Sequence, residues 1–247
     1  MILFRPLADG SWMPAPEARG GYDGVQGGVA AGLLCAVAEQ AIGRAFEPRA
    51  VTVHFFRTVP MLPVQLEVRT PHEGRRSAVC DVEMRQDGRL LARASVTFAG
   101  RLSMPAVPEP VLVATDPQDL RPLPKFTSLH GQPWHDDVLD RAERDGEFWY
   151  RSAAPVTETA SSFANLLPLA DWSPAAARPD DWRKPAVRGL PNVEFSAHAD
   201  RLPDDGWIGM RPVSRWSRSG SGYSSTPLSD LKGEFGCFST TLVLLPH

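Results

Sequence analysis

One stretch of the sequence, residues 24–43, restricts the fold more than any other. It reads GVQGGVAAGLLCAVAEQAIG, and from Gly27 to Ala38 no side chain is charged or strongly polar. A helix that is apolar on every side must be buried, and this one is far too short to span a bilayer. The sequence therefore predicts a helix in the interior of a globular protein, with other elements wrapped around it.

The residues after this helix have the patterns of short strands. Residues 49–60 are rich in β-branched and aromatic side chains and end in a proline. Apolar and polar residues then alternate along 64–69 and 78–85, which is the period of a strand buried on one face. Asp87-Gly88 is a strong signal for a hairpin turn before a last strand over 89–99. The pattern predicts a meander of four antiparallel strands packed on the helix.

The same order of elements returns in the second half of the chain. Residues 100–146 are rich in proline and acidic side chains, which is typical of a linker or a long crossing segment. Residues 159–170 predict a shorter helix that Pro168 bends or ends. Four strand-like runs follow, over residues 191–203, 207–217, 222–230 and 234–245.

Short stretches also match between the two halves. Residues 53–60 align with 195–203, so that Arg57 lies opposite Arg201, and the turn at 87–88 aligns with the Lys-Gly pair at 232–233. Such a repeat indicates two copies of one subdomain side by side rather than a solenoid. We predict an N-terminal repeat over residues 1–102, a crossing segment over 103–146 and a C-terminal repeat over 147–247.

Composition and charge exclude several classes of partner. The formal net charge of -3, with no basic cluster, argues against nucleic-acid binding. The first residues, MILFRPLADG, lack the basic and apolar regions of a signal peptide, and we find no membrane-spanning segment. Cys35, Cys80 and Cys237 match no metal-binding or redox spacing, and each lies in an apolar segment. We expect buried free thiols in a cytoplasmic protein.

Two clusters of reactive side chains are poor candidates for a catalytic site. Ser196, His198 and Asp200 have the composition of a catalytic triad, but at alternate positions of one strand they point the same way and do not converge. Four residues of metal-binding type lie in the proline-rich connection: His130, His135, Asp136 and Asp137. A polar loop is the better interpretation there, so we predict no metal and no other cofactor.

The layout resembles the double hotdog fold, in which a central helix wrapped by a curved antiparallel sheet is duplicated within one chain. The local sequence is similar to that of acyl-CoA thioesterase II-type proteins of the thioesterase-like superfamily. The similarity is carried by residues 19–23 (RGGYD), 26–34 (QGGVAAGLL), 53–57 (VHFFR), 85–88 (RQDG), 169–171 (LAD), 190–195 (LPNVEF) and 207–209 (WIG). The resemblance implies an α+β protein with two helix-wrapped antiparallel sheets.

The resemblance also implies a site in the second repeat. Enzymes of this family hydrolyse acyl-CoA with an aspartate on the helix, a threonine or asparagine at the start of the next strand, and a glutamine on the last strand. The matching positions here are Asp171, Asn192 and Thr240, with threonine in place of glutamine. Gln26 stands where relatives often carry histidine. The amides of Gly27 and Gly28 at the helix start are candidates for binding the substrate's developing oxyanion.

Each of these residues also has a purely structural interpretation. Asp171 has the position of a surface carboxylate at a helix end. A negative charge at a helix C-terminus is unfavourable, however, which suggests that the residue has a functional role. Asn192 follows a proline and is suited to a turn. Thr240 is β-branched and suits a strand. Gly27 and Gly28 suit close packing of the helix on the sheet.

Three functions are compatible with this site. The first is hydrolysis of an acyl thioester, carried by CoA or another thiol, through direct attack of water. The second is binding of acyl thioesters with little or no turnover, because Thr240 replaces the family's glutamine. A hotdog dehydratase ranks last, since it needs a helix histidine and neither predicted helix has one. By analogy we expect a homodimer, with a monomer as the alternative because the chain already contains a pair of repeats.

Overall fold

The computed structural model describes residues 1–126, 131–177, 187–204 and 206–246. The α-helices within these ranges are α1 (Gly27–Ile42), α2 (Ser162–Ala170) and α3 (Ser173–Ala176). Short 3-10 helices lie at Pro16–Ala18, Pro117–Asp119 and His135–Val138. The strands are β1 (Phe4–Pro6), β2 (Trp12–Pro14), β3 (Phe46–Phe55), β4 (Gln65–Glu73), β5 (Ser77–Gln86), β6 (Arg89–Gly100), β7 (Arg121–Pro122), β8 (Leu139–Arg144), β9 (Glu147–Ser152), β10 (Asn192–Ala199), β11 (Ile208–Met210), β12 (Val213–Ser217), β13 (Ser221–Asp230) and β14 (Gly233–Val243).

One antiparallel sheet runs through both halves of the described chain, while β1 and β2 pair separately. Its order is β4-β5-β6-β3-β10-β14-β13-β11-β9-β8-β7, and β12 also pairs with β13. The N-terminal half supplies the group β4-β5-β6-β3, and the C-terminal half supplies β10-β14-β13 followed by β11 or β12. The two groups meet at β3 and β10, where Val53 lies opposite Phe195. This duplicated arrangement confirms the predicted α+β double hotdog fold.

The predicted meander was wrong in one respect, the position of the strand that follows α1. β3 pairs with β6 and β10 and does not lie beside β4, and in the second half β10 likewise pairs with β14. Val51 and Val53 of β3 are buried, whereas β4 lies at the edge of the sheet and is mostly exposed. Alternation identifies the buried face of a strand but not its neighbours.

A second correction concerns the run predicted over residues 207–217. It forms two strands, β11 and β12, which are separated by Arg211 and Pro212. Proline has no amide hydrogen to donate to a strand neighbour, so it interrupts the ladder at this point. β11 pairs with β9 and β13, while β12 pairs with β13 alone.

Helix α1 is buried along most of its length, as predicted. It begins at Gly27 rather than Gly24, because Val25 donates its amide to the carbonyl of Val59 and Gln26 caps the helix. The helix ends at Ile42 and is followed by Gly43, whose φ of 81° is a conformation that glycine adopts readily. Its surroundings are the N-terminal strands on one side and α2 on the other.

The contact between α1 and α2 is close because glycine faces the second helix. A Cβ at Gly28 would lie 2.4 Å from the carbonyl oxygen of Leu167, and one at Gly32 would lie 2.9 Å from that of Ala164. Gly28 therefore allows packing of helix on helix, not of helix on sheet as its structural interpretation proposed. The helices are further joined by Glu39, whose carboxylate accepts hydrogen bonds from the amide and hydroxyl of Ser161.

Other predictions about the chain have mixed outcomes. Cys35 and Cys80 are buried, but Cys237 is exposed because the alternation of β14 places it on the outer face of the sheet. No helix in the described ranges has the length and apolar character needed to cross a bilayer. The limits of the two repeats remain predictions, and β7 and β8 lie within the segment predicted to cross between them.

Candidate active site

Asp171 links the end of one helix to the start of the other. It is the residue immediately after α2, and its Oδ2 accepts a hydrogen bond of 2.9 Å from the amide of Gly28. Its negative charge therefore lies at the N-terminus of α1, where the helix dipole is favourable to anions. The dipole of α2 disfavours a negative charge at this position, whereas the dipole of α1 favours it.

Asn192 holds the other oxygen of this carboxylate. It is the first residue of β10, and its Nδ2 donates a hydrogen bond to Asp171 Oδ1. A carboxylate oxygen has two acceptor positions, so each oxygen keeps one for a further donor such as water. The structure thus brings together four of the five predicted site residues: Asp171, Asn192, Gly27 and Gly28.

The environment of Asp171 makes its carboxyl group a weaker acid than usual. Burial raises the pKa of Asp171 to about 6, and the hydrogen bonds from Gly28 and Asn192 oppose part of that effect. The residue nevertheless keeps some exposure to solvent. A carboxyl group with a pKa near neutrality has the ionisation that a general base requires.

Gly27 lies beside this carboxylate and supplies a free amide. A Cβ at Gly27 would be 3.4 Å from Asp171 Oδ2, 3.5 Å from Phe55 Cζ and 3.8 Å from Asn192 Nδ2. The amide of Gly28 is bonded to Asp171, and that of Val29 is bonded to Gln26. In the described part of the chain the Gly27 amide has no acceptor. It is therefore the amide best placed to bind an oxyanion at this helix end.

Substituting each of the two glycines by alanine tests which of them is needed for the packing of α1 against α2. Gly28→Ala forces α2 away from α1, and we expect it to lower the free energy of unfolding by about 1–3 kcal/mol. Gly27→Ala brings only ordinary contacts and should change stability by less than about 0.5 kcal/mol. Urea unfolding of the two variants measures both effects. Equal stabilities would contradict the close contact of α1 with α2.

Thr240 does not join the cluster. It is buried on β14, and its hydroxyl donates a 2.8 Å hydrogen bond to the carbonyl of Glu194 on the neighbouring strand. The register of β10 and β14 shifts between Asn192 and Glu194, just beside this bond. Thr240 therefore supports the irregular start of β10 from which Asn192 projects, which favours its structural interpretation.

Gln26 contributes to the site, although in the sequence it stands out only as a departure from the family pattern. Its Oε1 accepts a 2.8 Å hydrogen bond from the amide of Val29, and its Nε2 donates a 3.2 Å bond to the carbonyl of Pro168. One side chain thus caps α1 and fixes the last turn of α2, three residues before Asp171. Glutamine is an uncommon cap, so propensity alone gave no signal for this role.

Three phenylalanine rings pack together on the side of the site that faces the sheet. The ring centroids of Phe55 and Phe195 are 5.5 Å apart, and those of Phe195 and Phe238 are 5.0 Å apart. Phe195 and Phe238 are fully buried. Phe55 belongs to the VHFFR stretch noted in the sequence, although nothing there showed that its ring reaches the site.

The remaining candidates do not form sites. Ser196 on β10 bonds with Thr52 and Glu194, within a strand surface that faces away from the helices. No metal-binding group of three or more His, Cys, Asp or Glu side chains occurs in the residues that the structure describes. His135 and Asp136 are buried, and His130 lies outside the described residues.

The duplicated helix-and-sheet fold, with a carboxylate and an amide at the start of the buried helix, defines a double hotdog protein of thioesterase type. The chain belongs to the acyl-CoA thioesterase family. The family model for the acyl-CoA thioesterase N-terminal domain matches residues 15–99, and that for the acyl-CoA thioesterase C-terminal domain matches residues 106–245. A search among curated proteins gave no match.

Solved structures share the fold over nearly the whole chain. A provisionally assigned thioesterase from Novosphingobium aromaticivorans DSM 12444 is 19% identical, with 99% of each chain covered and a TM-score of 0.80. Acyl-CoA thioesterase II TesB2 from Mycobacterium marinum is 12% identical, covering 99% of this chain and 95% of its own, with a TM-score of 0.70. A hot dog fold protein of unknown function from Alicyclobacillus acidocaldarius is 16% identical, with coverages of 96% and 92% and a TM-score of 0.73.

Proposed function

We propose that this protein hydrolyses an acyl thioester, with acyl-CoA as the first substrate to test, by direct attack of water. The observation that carries the proposal is the position of the Asp171 carboxylate, held between the N-terminus of α1 and Asn192 with its pKa raised to about 6 by burial. Membership of the acyl-CoA thioesterase family supports the same reaction class.

The proposed reaction begins with a water molecule hydrogen-bonded to Asp171. As the water oxygen attacks the thioester carbonyl carbon, its proton passes to the Asp171 carboxylate. Asn192 and Gly28 hold the carboxylate in one orientation, which limits the motions that must be frozen in the transition state. The products of this step are a tetrahedral intermediate and a neutral Asp171 carboxyl group.

The Gly27 amide is proposed to bind the oxyanion of that intermediate. One oxyanion-hole donor contributes about 10²–10³-fold in rate where its removal has been tested. The intermediate then collapses, the C–S bond breaks, and the departing sulfur takes the proton back from Asp171. The acid and the free thiol leave, and the carboxylate is restored without a covalent enzyme intermediate.

Binding without turnover is the second candidate function. The observation that favours it is Thr240, whose hydroxyl is bonded to the strand backbone where family enzymes place a glutamine. Release of free thiol from a panel of acyl-CoAs of increasing chain length, measured together with calorimetric binding, separates the two. Release above the uncatalysed rate for any member supports hydrolysis. Saturable binding of a member that is never cleaved supports the second function.

The pH dependence of hydrolysis should follow the ionisation of Asp171. The active form of a general base is the deprotonated one, so kcat/KM should rise with pH, reach half its plateau near pH 6 and fall about tenfold per unit below that. An ordinary aspartate would place the midpoint about two units lower. Initial rates between pH 4.5 and 8.5, with correction for spontaneous hydrolysis, test this expectation. A rate that stays flat down to pH 5 would contradict it.

A further inference from the structure

Trp172, the residue after Asp171, is the centre of an aromatic cluster. Its ring lies 5.6 Å from that of Phe126, 5.8 Å from Trp134 and 6.4 Å from Tyr150, measured between centroids. Tyr150 and Trp134 are buried. The side chain next to the proposed base is thus packed among rings from three other parts of the chain.

His135 is hydrogen-bonded to the central ring of this cluster. It is fully buried, and its Nδ1 accepts a 3.0 Å hydrogen bond from Trp172 Nε1. Its own amide donates to the carbonyl of Arg19, which fixes His135 to the loop before α1. Burial lowers the pKa of His135 to about 3, so the ring is neutral at ordinary pH and Nδ1 remains an acceptor.

The position of Asp171 depends on what holds the chain on each side of it. On the α2 side, Gln26 bonds the carbonyl of Pro168. On the other side, the next residue is Trp172, and its indole is held by His135. Residues 171 and 172 connect α2 to α3 in helical backbone conformation, and their amides bond to the carbonyls of Leu167 and Leu169. These bonds hold the main chain of the turn to α2, and the Trp172 indole adds a side-chain anchor to the loop before α1 through His135.

We propose that His135 is a positioning residue for catalysis, which acts through Trp172 to hold the Asp171 carboxylate against the Gly28 amide and Asn192. His135 touches neither substrate nor reacting atoms in this account. The kinetic part of the proposal rests on the proposed function, whereas the geometric part concerns the ligand-free protein. A displacement of about 1 Å at a reacting group can cost about 10²-fold in rate, so a modest shift of Trp172 is enough to matter.

Three variants test the hydrogen bond itself. His135→Leu replaces the imidazole with an apolar side chain of similar size and so removes the acceptor. His135→Asn places an amide oxygen close to the position of Nδ1. Trp172→Phe keeps an aromatic ring but removes the donor. We expect His135→Leu and Trp172→Phe to lower kcat by about 10–100-fold with KM within about threefold. His135→Asn should recover most of the wild-type kcat.

The double variant shows whether the two residues act together. If His135 acts through Trp172, His135→Leu combined with Trp172→Phe should be no worse than either single variant, because both remove the same bond. Losses of kcat that multiply in the double variant would contradict the proposal. So would a folded His135→Leu protein with wild-type kcat, or a His135→Asn protein no better than His135→Leu.

A measurement without substrate keeps this proposal separate from the proposed function. The hydrogen bonds from Gly28 and Asn192 lower the pKa of Asp171, so their loss should raise that pKa by about half a unit or more. The titration is followed by ¹³C NMR of the Asp171 carboxyl carbon. His135→Leu and Trp172→Phe should show this shift, and His135→Asn should not. If the wild type cleaves no acyl-CoA, the proposed function fails but the titration still decides the geometry. An unchanged midpoint in the folded Trp172→Phe variant would overturn the proposal, even if His135→Leu does not fold.

Discussion

Replacing Asp171 by asparagine is expected to lower kcat for the best acyl-CoA substrate by about 10²–10⁴-fold, with KM nearly unchanged. Asparagine keeps the size and polarity of the side chain but cannot accept the proton of the attacking water at neutral pH. Substrate binding should be preserved, because the carboxylate acts mainly in the transition state. The measurement is steady-state release of free thiol by the purified wild type and variant at the same pH.

The stability of Asp171→Asn provides its control. The folded-state pKa of Asp171 is raised above the ordinary value of 3.8, so its contribution to stability is present below that value and is lost as pH rises through about 6. At pH 8 the variant therefore lacks a buried charge, and its free energy of unfolding should be at least as large as that of the wild type. Asn192 can rotate its amide to offer an oxygen to the new side chain. A folded variant with wild-type kcat would remove Asp171 from the mechanism.

Asp230→Ala is expected to cause the largest loss of stability, about 3–5 kcal/mol in the free energy of unfolding. Asp230 is 1% exposed, and its carboxylate accepts hydrogen bonds from both terminal nitrogens of the Arg201 guanidinium. It also accepts bonds from the amides of Asp204 and Lys232. Removal of the carboxylate leaves the two amides without this acceptor, and it leaves the Arg201 guanidinium with the carbonyls of Leu202 and Gly233 but no counter-charge in this pair.

The first repeat supplies a matched control for this prediction. Arg57 aligns with Arg201 but is exposed to solvent, so Arg57→Ala should change the free energy of unfolding by less than about 0.5 kcal/mol. Urea unfolding at pH 7 with a common m value measures both variants. A loss below about 1 kcal/mol for Asp230→Ala would show that the Arg201 pair contributes little.

The parts of the fold that the sequence predicted are those fixed by local pattern. The burial of α1 follows from the absence of polar side chains over a dozen residues, and the turn at Asp87-Gly88 follows from residues that tolerate positive φ, as both do here. The order of strands could not be predicted from local pattern, because the pairing of β3 with β6 and β10 depends on contacts between residues far apart in the chain.

The site was less accessible to sequence reasoning than the fold. From the residues alone, Asp171 was a carboxylate after a short helix, and only the family resemblance singled it out. Its favourable position depends on the N-terminus of α1 lying beside the end of α2, which no local pattern encodes. The contacts of Gln26, His135 and Trp172 depend on the same packing. The homodimer predicted by analogy remains a prediction.

The most direct test of the account compares two titrations of the wild-type protein. One is the pH dependence of kcat/KM for acyl-CoA hydrolysis, and the other is the ionisation of the Asp171 carboxyl group, followed by ¹³C NMR and assigned with Asp171→Asn. If Asp171 is the general base, both titrations should have the same midpoint, near pH 6. A carboxyl group that titrates near pH 4 while the rate changes near pH 6, or a rate with no acid limb, would contradict the central claim.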